Sequence, residues 1–600
     1  MTAQIILTAA ATATTLMLWL TGPTVNAWPL AWLSLVPLMV WVQATAHLRK
    51  PPGRWKGTIY LAFFAYFLIS LQGLRYAHPL MFLPLIAMAA YLAVYPLLFF
   101  VLLRRALGLS SAATFGSAVF WAAAFWVGGE WVRNYFATGI SVLMLGHSLV
   151  DMPGGQLLQI ADLGGTYAVS LLLVCVNYAI ADIITGIWCA SSISCASSIG
   201  CASPGGSEPA SPVDLASPAQ LASLVSGWKV SVPVAVTLLI GSFLYGSYRL
   251  GQPLVLSDTT IMLVGRDEQT EYQQDLQREL SIFRAYAQQS MQAVRNSGVK
   301  INAVVWPESM LSGGQPWLTA QSDLKVPNQA GGQRLDFDAS EFRRIIEQTQ
   351  NDFQLRSIAL QTAMRSDGTS PSLIGGCGLV RYGDVPRQYS GVIHVDPNGQ
   401  VAGTYAKNHL VMFGEYIPLI QSIPFLRDFV PPGLGLDAGA GAEVFRVGSL
   451  RLLPNLCIET AVERISVDYL REVDADVIVT MTNDAWFDHS AVVSHHLRCA
   501  QIVAIGCRRP VLSAANGGPT AWIDSNGRMV EKLPYDQAGE IIATPKLDNR
   551  DSLYVRFGAW PFSILAVVFL IACFDQFVRW WKGDAGGSVS ASSEISNQNQ

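Results

Sequence analysis

The sequence predicts a multi-span α-helical membrane domain, about eight transmembrane helices in all, carrying an extracytoplasmic α/β domain. Three observations predict it. Apolar runs long enough to cross a bilayer, which takes about 20 residues, fill the chain up to residue 250 and return once near its end. Charged residues are only 14% of the chain, against roughly 25% in ordinary soluble domains, and the deficit lies almost wholly before residue 250 and after 555. Between those limits, short apolar runs alternate with helical stretches of mixed polarity, as in sheets covered by helices.

The apolar runs lie near 5–22, 28–46, 57–74, 79–103, 112–132, 165–187 and 229–248, with an eighth near 557–577. Soluble cores seldom string so many together. Met1 to Gln4 lacks the positive charge of a cleaved leader, so the first run is expected to be a retained span. Orientation follows from Lys and Arg in the short connections. Arg49, Lys50, Arg54, Lys56, Arg104, Arg105, Lys229, Arg579 and Lys582 fall on one side, and only Arg75, Arg133 and Arg249 on the other. That bias puts both termini in the cytoplasm and residues 251–554 outside it. The membrane domain is thus expected over 1–250, the last span over 555–582, and a disordered polar tail over 583–600.

Residues 189–227 are of low complexity, with Cys189, Cys195 and Cys201 in repeated Cys-Ala-Ser text. Too little apolar bulk is present there to offset the entropy of ordering, so a flexible cytoplasmic loop is expected. No His accompanies the three cysteines, which argues against a metal site. Within the spans, Glu130 and Arg133 are three apart and can pair on one helical face, while Asp162 can orient a loop beside the second domain. A net charge of −4 without a basic stripe gives no sign of nucleic acid, and nine cysteines in this length do not make a disulfide framework.

In the α/β domain, Thr260–Val264 reads as a strand ending at Gly265, a helix follows over 275–296, and Ala303–Trp306 is the next buried strand. A helix over 339–352 precedes an apolar strand at 357–360, and further strands are expected at 373–380, 390–396, 401–405, 450–456 and 477–480. Asp396-Pro397-Asn398-Gly399 is a hairpin turn with Gly where positive φ is needed. A helix is expected from Thr460 to Val473. Cys499 and Cys507 lie eight apart on a helix, about 12 Å along its axis and too far for a disulfide. With Cys377 they read as inert packing.

Three of these strands end in one reactive side chain each: Glu308 after Trp306-Pro307, Lys407 after Tyr405-Ala406, and Cys457 after Asn455-Leu456. A strand-to-helix turn lifts a side chain out of the sheet, and the amides of the following helix are expected to favour the thiolate of Cys457. A carboxylate base, an ammonium and a thiol make a plausible acyl-transfer set. Taken singly, each has a plain structural reading, the Cys as a small buried hydrophobe and the charges as strand-end surface residues.

Trp306-Pro307-Glu308, Tyr405-Ala406-Lys407-Asn408-His409 and Leu456-Cys457-Ile458-Glu459, in that order, resemble the Glu, Lys and Cys blocks of the nitrilase (carbon–nitrogen hydrolase) superfamily. With seven spans before and one after, the whole resembles the apolipoprotein N-acyltransferase family. Phe413-Gly414-Glu415, Thr482-Asn483-Asp484-Ala485-Trp486-Phe487, Ala515-Asn516-Gly517-Gly518 and Ile160-Ala161-Asp162-Leu163-Gly164-Gly165 agree with it. The resemblance implies an α-β-β-α sandwich and a cysteine thioester. Glu308 would be general base, Lys407 would stabilise the oxyanion, Cys457 would be the nucleophile, and Glu415 and Glu459 would support them. It implies a phospholipid donor such as phosphatidylethanolamine, giving its sn-1 chain, and a diacylglyceryl-cysteine apolipoprotein as acceptor. It further implies a bacterial inner-membrane location with the catalytic domain periplasmic, and chemistry that needs no metal or organic cofactor.

The sequence departs from the family pattern at Met412 (usually Pro), Ile458 (Tyr), Asp488 (Gly), His495 (Gln) and Gly506 (an acid), and a Phe-Pro-Trp is missing near Gly139-Ile140-Ser141. Two other readings fit the same text: a membrane-tethered amidase acting on a small amide, and an inactive lipid-binding scaffold. The apolar stretch from Ile417 to Gly435, broken by Pro and Gly, is expected to be an irregular arm that dips into lipid over the acyl chain.

Overall fold

The computed structural model describes all residues except 1, 49–52, 110–117, 137–138, 199–226, 272–274, 327–328, 331–332, 335–337, 367, 413, 417–434 and 597–600. Most of the low-complexity stretch and of the apolar arm therefore lie outside the described residues. The N-terminal half is helical: α1 (Thr2–Leu20), α2 (Val36–Thr45), α3 (Trp55–Ser70), α4 (Phe82–Leu109), α5 (Ala118–Tyr135), α6 (Ala161–Ser198) and α7 (Trp228–Leu250). Among the described residues, six helices are long and apolar enough to cross a membrane, including Trp560–Lys582 near the C-terminus. The other two expected runs are the 16-residue α3 and the 18-residue α5. α6 continues to Ser198 and the last helix to Ser596, so the start of the low-complexity stretch and most of the polar tail are helical, contrary to expectation. Each extends an apolar helix that is already nucleated, and propagation costs far less than nucleation.

Glu130 and Arg133 on α5 are buried but do not pair with each other, contrary to the sequence reading. The loop that crosses the end of the helix takes both. Glu130 Oε1 accepts from Leu145 N (2.8 Å) and Trp126 Nε1 (3.0 Å), and Arg133 Nη2 donates to Val142 O (2.8 Å).

In the second half, one sheet contains β1 (Ile261–Gly265), β2 (Ala303–Trp306), β3 (Trp317–Ala320), β4 (Ser372–Tyr382), β5 (Arg387–Val395) and β6 (Val401–Ala406). The other contains β7 (Phe445–Val447), β8 (Leu450–Leu456), β9 (Val477–Asn483), β10 (Val511–Asn516), β11 (Ala521–Ile523) and β12 (Met529–Lys532), and β13 (Gly539–Ala543) returns to the first. The orders are β13-β1-β2-β4-β5-β6, with β3 also on β4, and β7-β8-β9-β10-β11-β12. β1, β2 and β4 run parallel, as do β8, β9 and β10.

The continuous apolar text of β1 is explained by burial on both faces. Ile261 and Leu263 face the second sheet, in one core with Leu452 and Val477. Met262 and Val264 face helices Leu276–Asn296 (α8) and Ala339–Ala363 (α9), against Tyr286 and Phe353. The far face of the second sheet is covered by α11 (Glu463–Glu472) and α12 (Ala491–Cys507), which follow the one-turn α10 (Ile458–Ala461). The layers are α-β-β-α.

The strand expected at 357–360 is instead part of α9, which continues to Ala363. Phe342, Ile346, Phe353, Ser357, Leu360 and Gln361 are its buried residues, at helical spacing, so a short apolar run was helix core rather than strand. The helix expected from 460 to 473 is broken at Val462 into α10 and α11.

A buried ionic knot joins the two halves. Asp162 Oδ2 takes Arg508 Nη2 at 2.6 Å and Arg249 Nη2 at 2.7 Å, and its Oδ1 accepts from Tyr245 OH at 2.7 Å. The sequence reading has Asp162 orienting a loop beside the second domain; in the structure it holds Arg508 of that domain directly. Just beyond it, α6 is interrupted at Gly164–Gly165, where Gly165 has φ +63°. The interruption frees Thr166 N to donate to Glu463 Oε2 of α11 at 3.0 Å.

Candidate active site

Glu308, Lys407 and Cys457 each lie just beyond the carboxyl end of a strand, β2, β6 and β8, where open α/β sheets place ligands. The first two come from one sheet and the third from the other, so the set assembles only when the sandwich closes. The backbone turns sharply at two of these points: Ser309, next to Glu308, has φ +67°, and Cys457 has φ +47°. Positive φ in residues other than glycine is costly and persists only where surroundings fix it. Cys457 is held by its N–H to Met481 O (3.0 Å) and by its carbonyl oxygen to His496 Nε2 (2.8 Å).

The ammonium of Lys407 is buried between two carboxylates, 2.7 Å from Glu415 Oε1 and 3.6 Å from Glu308 Oε1. Burial works against its charge, but Glu415 and Glu308 outweigh that and hold its pKa above the usual lysine value. Glu308 also accepts from Ser390 Oγ at 3.2 Å. Burial, with Glu415 adding, raises its carboxyl above the ordinary range although Lys407 opposes. Glu415 Oε2 accepts from Val411 N (2.7 Å), which fixes the loop after Lys407.

Glu459 is fully buried and receives Leu456 N (2.8 Å), Asn408 N (2.8 Å), His409 N (3.1 Å) and Tyr405 OH (2.8 Å). It thus ties the Lys407 strand to the Cys457 strand, and burial raises its own pKa.

The expected preference of Cys457 for the thiolate is overturned. Burial first, then the negative charges of Glu308 and Asp484, push the thiol pKa up, and Lys407 only partly offsets them. The helix after it has four residues, too short to supply a field that outweighs burial. The resting residue is a thiol, and any nucleophilic use of it requires a base. Glu308 is a carboxylate with an elevated proton affinity, suited to that exchange.

Sequence reasoning missed Ser390 and gave no role to Asp484 or His496. Asp484 follows β9 by the same strand-end pattern as Glu308, Lys407 and Cys457. His496 Nδ1 lies 3.4 Å from Asp484 Oδ1, so the pair runs from the end of β9 to the Cys457 carbonyl. Burial lowers the pKa of His496, but Asp484 more than offsets this.

Cys457 opens on a cavity of ≈ 430 Å³ whose wall is shared by both halves. Leu18 and Trp19 of α1, Tyr66 of α3, and Leu85, Met88 and Tyr91 of α4 line it from the membrane side. Ile140, Leu143, Ile458 and His495 line it beside the thiol.

Residues 14–179 match the family described as apolipoprotein N-acyltransferase N-terminal domain, and residues 269–553 match carbon–nitrogen hydrolase. An apolipoprotein N-acyltransferase of Rhodopirellula baltica is 48% identical over 96% of this chain and 98% of its own length. The chain belongs to the apolipoprotein N-acyltransferase family. The apolipoprotein N-acyltransferase of Rhizobium rhizogenes is 26% identical over 52% of this chain and 54% of its own. An amidase from Nesterenkonia sp. aligns over 52% of this chain and 98% of its own, at 13% identity and a TM-score of 0.33.

As an apolipoprotein N-acyltransferase, the chain is a membrane-associated acyltransferase of lipoprotein maturation, which sets aside the readings as a small-amide amidase and as an inactive scaffold. One glycine bears on this enzyme directly. A Cβ added to Gly376 on β4 would overlap Glu308 Cα and the Ser309 amide. Gly376→Ala is expected to displace Glu308 and lower acyl-transfer turnover on the order of 10²-fold, as misplacements of about 1 Å do. Turnover of lipoprotein substrate beside a circular-dichroism spectrum checks this, and unchanged turnover would contradict it.

Proposed function

We propose that the enzyme works in two steps through a thioester on Cys457, taking its acyl chain from a phospholipid of the outer leaflet, phosphatidylethanolamine being the expected donor. The observation that carries this is the cavity: a thiol beside a carboxylate and an ammonium opens into an apolar space walled by membrane helices. A hydrocarbon chain can lie there with its ester carbonyl at the sulfur.

In the first step, Glu308 takes the proton of Cys457 as sulfur attacks the sn-1 ester carbonyl. The Lys407 ammonium stabilises the tetrahedral oxyanion. Collapse breaks the bond to the glycerol oxygen, which leaves as an alcohol with the proton held by Glu308. In the second step, the neutral α-amine of diacylglyceryl-cysteine attacks the thioester, Glu308 accepts an amine proton, and Cys457 leaves with that proton as a thiol. Glu415 keeps Lys407 in place and Glu459 holds the two strands together. The distribution of Lys and Arg supports a periplasmic catalytic domain with both termini cytoplasmic.

Purified enzyme incubated with phospholipid alone should accumulate one acyl group on the peptide containing Cys457 and release one lysophospholipid per chain, both read by mass spectrometry. The initial rate should fall with falling pH, because only ionised Glu308 accepts the proton. The fall should be centred above the value of about 4.3 for a free Glu, since burial raises the pKa of Glu308. Lysolipid release without a bound acyl group would refute the thioester.

A further inference from the structure

A second group of chemically capable side chains starts at the wall of the acyl cavity, which His495 lines. His147 sits on the turn Leu145–Leu149 between α5 and α6, and His495 and Cys499, four apart, occupy one face of α12. Their donor atoms all lie within 4.8 Å of one another. Cys499 Sγ is 3.8 Å from His147 Nε2, and the two imidazoles meet edge to face at 84°. Glu463 Oε1 lies 3.8 Å from His147 Nε2 and accepts from Thr166 Oγ1. A tetrahedral zinc ion with bonds of about 2.3 Å to sulfur and about 2.0–2.1 Å to nitrogen separates those two ligands by roughly 3.6 Å. All four side chains are buried, and His147 Nδ1 has no hydrogen-bond partner among the described residues.

We propose that His147, His495 and Cys499, with Glu463 completing the shell, bind one Zn²⁺ that clamps the catalytic domain to the membrane domain. Two imidazoles, a thiolate and a carboxylate form a nitrogen, sulfur and oxygen set suited to zinc, and a closed four-ligand shell is the structural type. Cys499 gives its proton to solvent as the S–Zn bond forms, and the ion then balances the charges of the thiolate and Glu463. The nearby cations are engaged elsewhere: Arg133 on Val142 O, and Arg498 on Asp151 at 2.6 Å and Thr21 O at 2.8 Å.

Occupancy has one structural consequence. His495 Nε2 accepts from Leu143 N at 2.9 Å, and Leu143 lines the acyl cavity. Coordination through Nε2 uses that lone pair, and coordination through Nδ1 moves the ring proton onto Nε2. Either way Leu143 N–H is released, so zinc loosens one wall of the cavity while tightening the join between domains.

The test uses the full chain in detergent. Zinc by elemental analysis should approach one per chain, and protein stripped with chelator and titrated with Co²⁺ should develop a thiolate-to-cobalt charge-transfer band. Cys499→Ser and His495→Gln should lose the band, and Cys457→Ser should keep it. Zinc should raise Tm in the wild type and not in Cys499→Ser, and amide exchange should quicken in the peptide holding Leu143. Background zinc with no cobalt band in the wild type overturns the proposal even if the variants fail to fold. A band that survives Cys499→Ser, or that vanishes with Cys457→Ser, also overturns it.

Discussion

Cys457→Ser is expected to abolish the acyl-enzyme and to reduce lipoprotein N-acylation on the order of 10³-fold or more, with little change in Tm. Nucleophiles that act as a unit with their base carry effects of at least this size. The thiol already sits above its ordinary pKa through burial and the charges of Glu308 and Asp484. A hydroxyl is a far weaker acid, and a carboxylate cannot draw its proton at a useful rate. Stability should be spared because the backbone at this position is held by groups that the change leaves alone. Met481 O still receives the amide, and His496 still meets the carbonyl. Intact-mass analysis after incubation with phospholipid, together with thermal melting, decides it. Acylation of the Cys457→Ser variant at near wild-type rate would remove Cys457 from the mechanism.

Lys407→Met, nearly equal in shape, is expected to cost both rate and stability. The missing oxyanion donor alone should raise the barrier by about 3–4 kcal/mol. The same change leaves Glu308 and Glu415 facing each other without the ammonium that now lies 3.6 Å and 2.7 Å from them. Breaking a buried ion pair from one side costs about 3–5 kcal/mol. Part of that is relieved when one carboxyl stays protonated, which further raises the pKa of the proposed base. The variant should therefore show slower acylation and a pH profile displaced upward. Lys407→Met with Glu415→Gln should recover Tm without recovering the rate. Single-turnover acylation and melting curves separate the two losses, and a rate within tenfold of wild type would show that Lys407 is not the oxyanion donor.

Much of this site was legible because its grammar is local. A buried strand followed by one polar residue marks Glu308, Lys407 and Cys457, and both faces of β1 are covered, so its text is uniformly apolar. What failed was what depends on the third dimension. The run at 357–360 carries no signal that separates a short strand from a helix end. The thiol was expected to favour its anion, yet its proton affinity is set first by burial and then by Glu308 and Asp484, 149 residues before it and 27 after it. Ser390 reaches Glu308 from β5, two strands away in the sheet and 82 residues away in sequence, and no spacing rule announces that. Glu130 and Arg133 have the spacing of a helical pair, but a loop backbone claimed each of them first.

The shared wall around the thiol has a practical corollary. A water-soluble fragment spanning only the sandwich would keep its three reactive groups but open half of the greasy trough to solvent. Such a fragment should stick to detergent, and any acyl-enzyme it formed would be exposed to hydrolysis before an acceptor arrived. The hydrophobic helices are thus part of the reaction chamber as well as the tether, and neither half is expected to work alone.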